Sequence, residues 1–411
     1  MKNQILLLLA FAFILKASAQ ETVIFPNQDR RVITTGVPFL LIAPDARAAA
    51  LGDMGVATSV DAFSQQWNSS KYVFSEAKSG LGVSYTPYLS KLVNDISLGN
   101  ITYFNRLNER SAFAVSFKYF SLGEIELIQD EFSQALIEKP NELTMDVSYS
   151  LRLADQFSMG VSLRYLRSDL KIQAVDQNAI AASSYGVDIS GYYQGEEQAY
   201  NDFNGRWRAG FIIQNLGPKI KYDESAVSAS FLPTMLRLGG GFDFILDSYN
   251  KVSVTAEFAK LLVPTPPLLG TFTDYNDANG NGIFDEDEEQ IGQSYTGIIS
   301  GKPTDVDFLT GVFQSFSDAP GGFSEELREF TWSLGAEYTY EDSFALRAGF
   351  FNESEDKGAR KFLALGAGFK FTGTNIDLSY LFSASKVPSP LENTLRFSLT
   401  FNFGDNEYYE Y

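Results

Sequence analysis

The residues best spaced for ligand chemistry sit in one acidic run, Asp277-Ala278-Asn279-Gly280-Asn281-Gly282-Ile283-Phe284-Asp285-Glu286-Asp287-Glu288. It matches the calcium-loop pattern D-x-[DN]-x-[DN]-G-x5-E at every required place. Calcium is a hard cation that takes roughly six to eight oxygens. Asp277, Asn279 and Asn281 would supply side-chain oxygens, and Ile283 a carbonyl. Asp285 would act through water and Glu288 as a bidentate carboxylate, with Gly282 making the sharp turn. Helices do not obviously flank the run, so the expected site is an isolated structural calcium loop. The plainer reading is an acidic surface loop that matches by composition.

Other side-chain chemistry is scarce. The chain has no His and no Cys. Histidine bases, histidine-held zinc, thiolate chemistry and disulfides are therefore excluded. No Gly-x-Ser-x-Gly nucleophile elbow is present either. The formal charge of −19 argues against nucleic acid as a partner, because phosphate binding needs a basic surface. No enzyme is expected, and no catalytic residue is assigned.

The elements that must position the acidic run are strands. Among 411 residues, 35 are Phe and 21 Tyr, and 33 are Gly. Met1 to Gln20 reads as an export signal: Lys2, an apolar run from Ile5 to Leu15, then Ala17-Ser18-Ala19 as the cleavage site. Residues 1–19 are the expected signal peptide. Beyond Ser79, short segments alternate apolar and polar residues with period two, the strand signature. About fourteen begin near Ser79, Asp95, Arg110, Asn141, Gln156, Ser184, Gly205, Leu232, Asn250, Leu327, Ser343, Arg360, Thr374 and Leu391. Many are long for soluble strands, their aromatics gather near the ends, and tight turns alternate with long connections. Those are the habits of an outer-membrane barrel.

The expected fold is all-β, an antiparallel transmembrane β-barrel of about fourteen strands with a short N-terminal helical, plug-like segment. Residues 20–78 are the plug-like segment and 79–404 the barrel. Residues 263–326 form a long extracellular loop carrying the acidic run, and 405–411 a periplasmic tail. The even strand count puts both termini at the short-turn, periplasmic side. With the apolar face toward outer-membrane lipid, the lumen receives Lys118, Asp146, Arg152, Arg164, Asp188, Arg208, Arg237, Asp243, Glu257, Glu337, Arg347, Lys370, Asp377 and Arg396. A lipid-facing charge at the midplane costs roughly 2–4 kcal/mol, so these side chains point inward and brace the interior. Apolar residues in the long connections mark a contact surface. Leu268, Leu269, Phe308, Phe313 and Phe316 are the expected partner-binding residues, with a self-capping loop as the plainer reading.

Three stretches of the plug-like segment carry a family resemblance: Gly36 to Arg47 (GVPFLLIAPDAR), Gly52 to Thr58 (GDMGVAT) and Gln66 to Lys71 (QWNSSK). They resemble the opening of the PorV family, barrels of the Bacteroidetes type IX secretion system within the FadL-like superfamily. The likeness is dense over residues 32–76 and diffuse beyond. It departs at Ala48-Ala49-Ala50, where glycines are usual, and at Ser69-Ser70, where a Pro is usual. The resemblance implies a non-enzymatic protein that binds the C-terminal signal domain of secreted cargo at the SprA or Sov translocon barrel. Cargo then passes to attachment machinery that includes a PorU-like sortase. A link to lipopolysaccharide deacylation is attached to the family, but this sequence has no residues to support it. The rival is a FadL-like outer-membrane transporter of hydrophobic small molecules, which needs an apolar lumenal pocket.

Overall fold

The computed structural model describes residues 21–26, 31–90, 93, 95–128, 135–172, 178–223, 229–276, 290–385, 392 and 394–404. A first strand, β1 (Glu21–Pro26), precedes the barrel. The barrel then runs through β2 (Ser79–Pro87), β3 (Ile96–Arg106), β4 (Ser111–Leu122), β5 (Asn141–Ala154), β6 (Phe157–Asp169) and β7 (Ala182–Gln194). It continues with β8 (Asn204–Leu216), β9 (Met235–Ile245) and β10 (Asn250–Leu261). The long connection that follows holds β11 (Leu268–Asn276), β12 (Gln290–Ser300) and two short helices. The last barrel strands are β13 (Phe330–Tyr340), β14 (Phe344–Asn352), β15 (Lys361–Phe371), β16 (Thr374–Ser383) and β17 (Leu395–Phe403).

Barrel neighbours pair antiparallel in chain order, and the ring closes where β17 meets β2, Tyr85 opposite Phe397. The result is a closed barrel of fourteen strands, one for each alternating segment of the sequence. The side-chain period of two sorts each strand into two faces. In β5, Asp146, Ser148 and Ser150 are buried, whereas Met145, Val147 and Tyr149 are more than half exposed on the outer wall. The interior is therefore polar and the outside apolar, the inverse of a soluble core.

Residues 31–78 fill the interior from one end to the other. At the long-loop end, the Gly36 N–H donates to Phe231 O at 2.9 Å, and Val37 N–H to the Tyr222 hydroxyl at 3.3 Å. A single 3-10 turn, Pro38–Leu41, then buries Phe39 and Leu40. Helix α1 (Ala46–Ala50) begins at Asp45, whose carboxylate accepts from Ala48 N–H, satisfying a free donor of the first turn. Helix α2 (Ser64–Trp67) and a 3-10 stretch, Ser69–Phe74, lead to the short-turn end. There Lys78 O accepts from Arg106 N–H, and β2 begins. Wall glycines admit this backbone: a Cβ on Gly349 would collide with Leu51, and one on Gly210 with Val56 O. Buried methyls of Ala48 and Ala49 pack with Ala43 and Trp67, so the alanines that depart from the family pattern are part of the core.

One expectation is corrected. The barrel's first and last strands do meet the short-turn end, but β1 pairs with β11 in the long connection, Ile24 opposite Phe272. The start of the described chain therefore lies at the opposite end from the close of the barrel. Pairing across the chain, which no local pattern encodes, decides this.

Candidate functional site

Two regions carry the unusual chemistry: the lumen, where wall and plug are ion-paired, and the long-loop end. In the lumen, Arg164 bridges Asp146 and Asp188, and Arg208 pairs with Asp243 at 2.7 Å. Arg347 joins Glu337 to Asp377. These bonds tie strand to strand. Others tie strand to plug. Glu337 accepts from Arg47 at 2.9 and 3.1 Å. Glu257 accepts from the Gly55 and Val56 amides at 3.0 Å each and from Arg237 at 2.9 Å. Arg208 donates to Ala57 O, Lys118 to Gln66, and Arg396 to Asp53. The lumenal charges thus brace the wall and hold the plug. Arg152 and Lys370 differ: Arg152 is half-buried over the Phe74 ring, and Lys370 is exposed.

Burial shifts the plug's own ionisable groups. Asp45 is pushed up to about 6, by burial first and Asp61 second, although Trp67 Nε1 donates to it at 2.8 Å. Burial brings the Lys71 ammonium down to about 8, where it donates to Gly55 O and the Thr58 hydroxyl. Toward the long-loop end the plug turns apolar: Val37, Phe39 and Leu40 pack with Leu98, Phe120 and Leu166, and the rings of Phe39 and Phe120 stack at 5.9 Å. At the short-turn end a cavity of about 600 Å³ remains, with Arg47, Asp61, Phe63, Phe74, Lys370 and Asn402 among its lining residues.

The long-loop end is built by α3 (Phe308–Gln314) and α4 (Phe323–Arg328). Asp307 caps α3 through Thr310 N–H, and Gly311 lets the helix lie directly on Phe231 and Pro264. Helix α4 stands on a buried knot of charge. Glu326 accepts from Asp318 and Ala319 amides and from Lys260 at 3.0 Å. Lys357 bridges Glu325 and Glu329 at 2.7 and 2.9 Å, and Arg31 grips Glu325 through two bonds. Burial works against ionisation of Glu325, yet the bonds from Arg31 and Lys357 hold it down at about 2. Burial, with Glu326 and Glu329 nearby, lifts Asp318 to about 6. This knot joins the entering plug chain, the helical cap and the β14–β15 connection.

The opposite side of the cap is bare and apolar. Phe313 is 75% exposed on α3 and Phe323 77% on α4, and Leu309, Phe316 and Leu327 are exposed as well. Of the expected partner-binding residues, Phe313 and Phe316 face solvent and Phe308 is half-buried at the start of α3. Leu268 and Leu269 are half-buried in β11, Leu269 opposite Ile298. Phe323 and Leu327, four apart on one helical face, complete the apolar set; that spacing was the signal to read. The charge knot had no such signal, because its members are scattered from Arg31 to Lys357. Asp277, Asn279, Asn281, Ile283, Asp285 and Glu288 lie outside the described residues. Asn276 pairs with Gln290 in the hairpin, so the acidic run joins β11 to β12.

Several solved barrels follow a similar course. The Ralstonia pickettii toluene transporter TbuX is 12% identical, with 89% of this chain and 100% of that chain covered and a TM-score of 0.46. The P. putida toluene transporter TodX is 11% identical, with 89% and 100% covered and a TM-score of 0.47. A Pseudomonas aeruginosa FadL homologue is 12% identical, with 92% and 100% covered and a TM-score of 0.43. No curated protein sequence matches. A family model for type IX secretion system protein PorV matches residues 25–268, taking in the whole plug and the barrel through β10. The match spans more than half of the chain, and the chain belongs to the PorV family of type IX secretion.

Proposed function

We propose that this PorV-family chain receives secreted proteins at its long-loop cap and hands them to the surface attachment machinery, and conducts no solute through its lumen. Family membership makes it an outer-membrane component of type IX secretion. The observation that carries the finer reading is the contrast between the lumen and the cap. The lumen is occupied by a plug held through Glu337, Glu257, Arg208 and Arg396, while the cap exposes Phe313, Phe316, Phe323 and Leu327. Exposed apolar residues on two successive helices of one connection suit a protein partner. A transporter of hydrophobic compounds needs an apolar lumenal pocket, and Val37, Phe39, Leu40 and their neighbours take that place.

In this reading the long-loop end faces outside and the short turns face the periplasm. Residues 1–19 are removed on export, and the tail 405–411 stays periplasmic. The partners follow from the family: the SprA or Sov translocon barrel, cargo bearing the type IX C-terminal domain, and a PorU-like sortase. Calcium, bound by the run from Asp277 to Glu288, would stiffen the hairpin at the cap. Affinity purification from the native outer membrane with mass spectrometry tests the reading. Recovery of a very large barrel and of secreted proteins sharing one C-terminal domain supports it. Recovery of no protein, with a lipid or hydrophobic compound in the barrel, favours transport.

A further inference from the structure

Strand β12 forms one edge of a small sheet in the order β1–β11–β12. It is 11 residues long, Gln290–Ser300, and reads QIGQSYTGIIS, with no charged residue and no Pro. Gln293 to Thr296 and Ile298 are exposed, and the exposed Tyr295 ring is stacked on Phe272 at 5.3 Å. Proteins ordinarily blunt such an edge with Lys, Pro, a bulge or a cover, because its outward amides and carbonyls are a template for another strand. Strand β12 shifts register against β11 at Ile299 and between Ile291 and Ser294, and Ser294–Ile298 between them form a regular edge of five residues. The other edge of the same hairpin has already been used that way: β1, from the far end of the chain, adds to β11 over six residue pairs.

We propose that β12 is a strand-addition site, and that its occupant is one extended, uncharged strand of the secreted partner protein. The inference rests on the cargo-receiving reading and specifies how cargo is held. Within Ser294–Ile298 roughly every second amide faces away from β11, and among the described residues no strand pairs with that edge. Main-chain hydrogen bonds would grip cargo of varied sequence, while alternate side chains set preference. The exposed apolar residues of α3 and α4 would pack on the body of the same partner.

The test is amide hydrogen exchange on the full-length protein in detergent or nanodiscs, with and without a purified C-terminal domain of a type IX cargo, binding being checked separately by pull-down. Strand addition predicts that alternate amides within 294–298 slow by at least about tenfold on binding, while those facing β11 change little. Thr296→Lys with Ile298→Lys, charges on the edge, should cut capture by about tenfold or more without altering β11 exchange. Cargo that binds while β12 exchange is unchanged overturns the site and leaves the cargo-receiving reading intact. Cargo that does not bind overturns both. Protection that appears without cargo and grows with protein concentration identifies a second copy of this chain as the occupant, and also overturns the proposal.

Discussion

Glu257 offers the sharpest perturbation of the plug. Its carboxylate accepts from two plug amides, Gly55 and Val56, and from the Arg237 guanidinium, all at 2.9–3.0 Å and out of water. Glu257→Leu would leave two buried N–H groups and one cation unpaired at a single stroke. Losing one partner of a buried pair costs about 3–5 kcal/mol, and each stranded amide adds about 1–3 kcal/mol when water cannot reach it. Because Arg237 keeps Gln214 at 3.0 Å and lies over the Trp67 ring, the low end of each cost is the better expectation, about 5 kcal/mol together. About 5 kcal/mol is more than a thousandfold in the plug-opening equilibrium. Amide exchange of residues 54–58, read against the barrel strands in the same sample, measures it directly. Removing the stranded cation with Arg237→Leu should recover part of the loss. Exchange of residues 54–58 in Glu257→Leu that matches the unaltered protein would refute the idea that wall carboxylates hold the plug.

Three further outcomes follow from the same contacts. Glu325 is held at about 2 against an ordinary 4.5, so its contribution is complete above pH 4.5 and is lost as pH falls from there through about 2. Amide protection of residues 31–37, corrected for intrinsic exchange, should weaken over that window; protection lost already above pH 5 would contradict it. Gly349→Val places side-chain atoms where Leu51 runs, so the plug should lose protection while the barrel still assembles; unchanged protection of residues 46–52 would sink the close-approach account. Asp277→Ala with Glu288→Ala should abolish calcium-dependent protease resistance of the β11–β12 hairpin, and resistance in the unaltered protein that ignores calcium would remove the metal.

How much of this was legible varies with the range of the interaction. The barrel was readable because each strand repeats its own evidence, as Met145, Val147 and Tyr149 alternate with Asp146, Ser148 and Ser150. The inward direction of the charges followed from the cost of placing them in lipid. Whom they would meet did not: Glu257 grips amides some two hundred residues earlier, and backbone groups carry no signature in a sequence. The same distance hid the pairing of β1 with β11 and the meeting of Arg31, Lys260 and Lys357 around α4. At the cap, Phe313 and Phe316 could be read as solvent-facing, while Leu268 and Leu269 were absorbed by a strand that lies inside the supposed loop.

The most direct measurement is cargo capture at matched expression in the outer membrane. It compares Phe313→Ser with Phe316→Ser, as one double variant, against the lumenal change Arg208→Leu. Interface energy concentrates in a few buried anchors, each costing roughly 2 kcal/mol or more when truncated, so the cap variant should lose at least about tenfold in co-purified cargo. The Arg208 variant should loosen the plug but keep its cargo, because its guanidinium is buried in the lumen, bonded to Asp243, Thr255 and Ala57 O of the plug. Normal capture by the cap variant together with lost capture by the Arg208 variant would contradict the account and move recognition into the lumen.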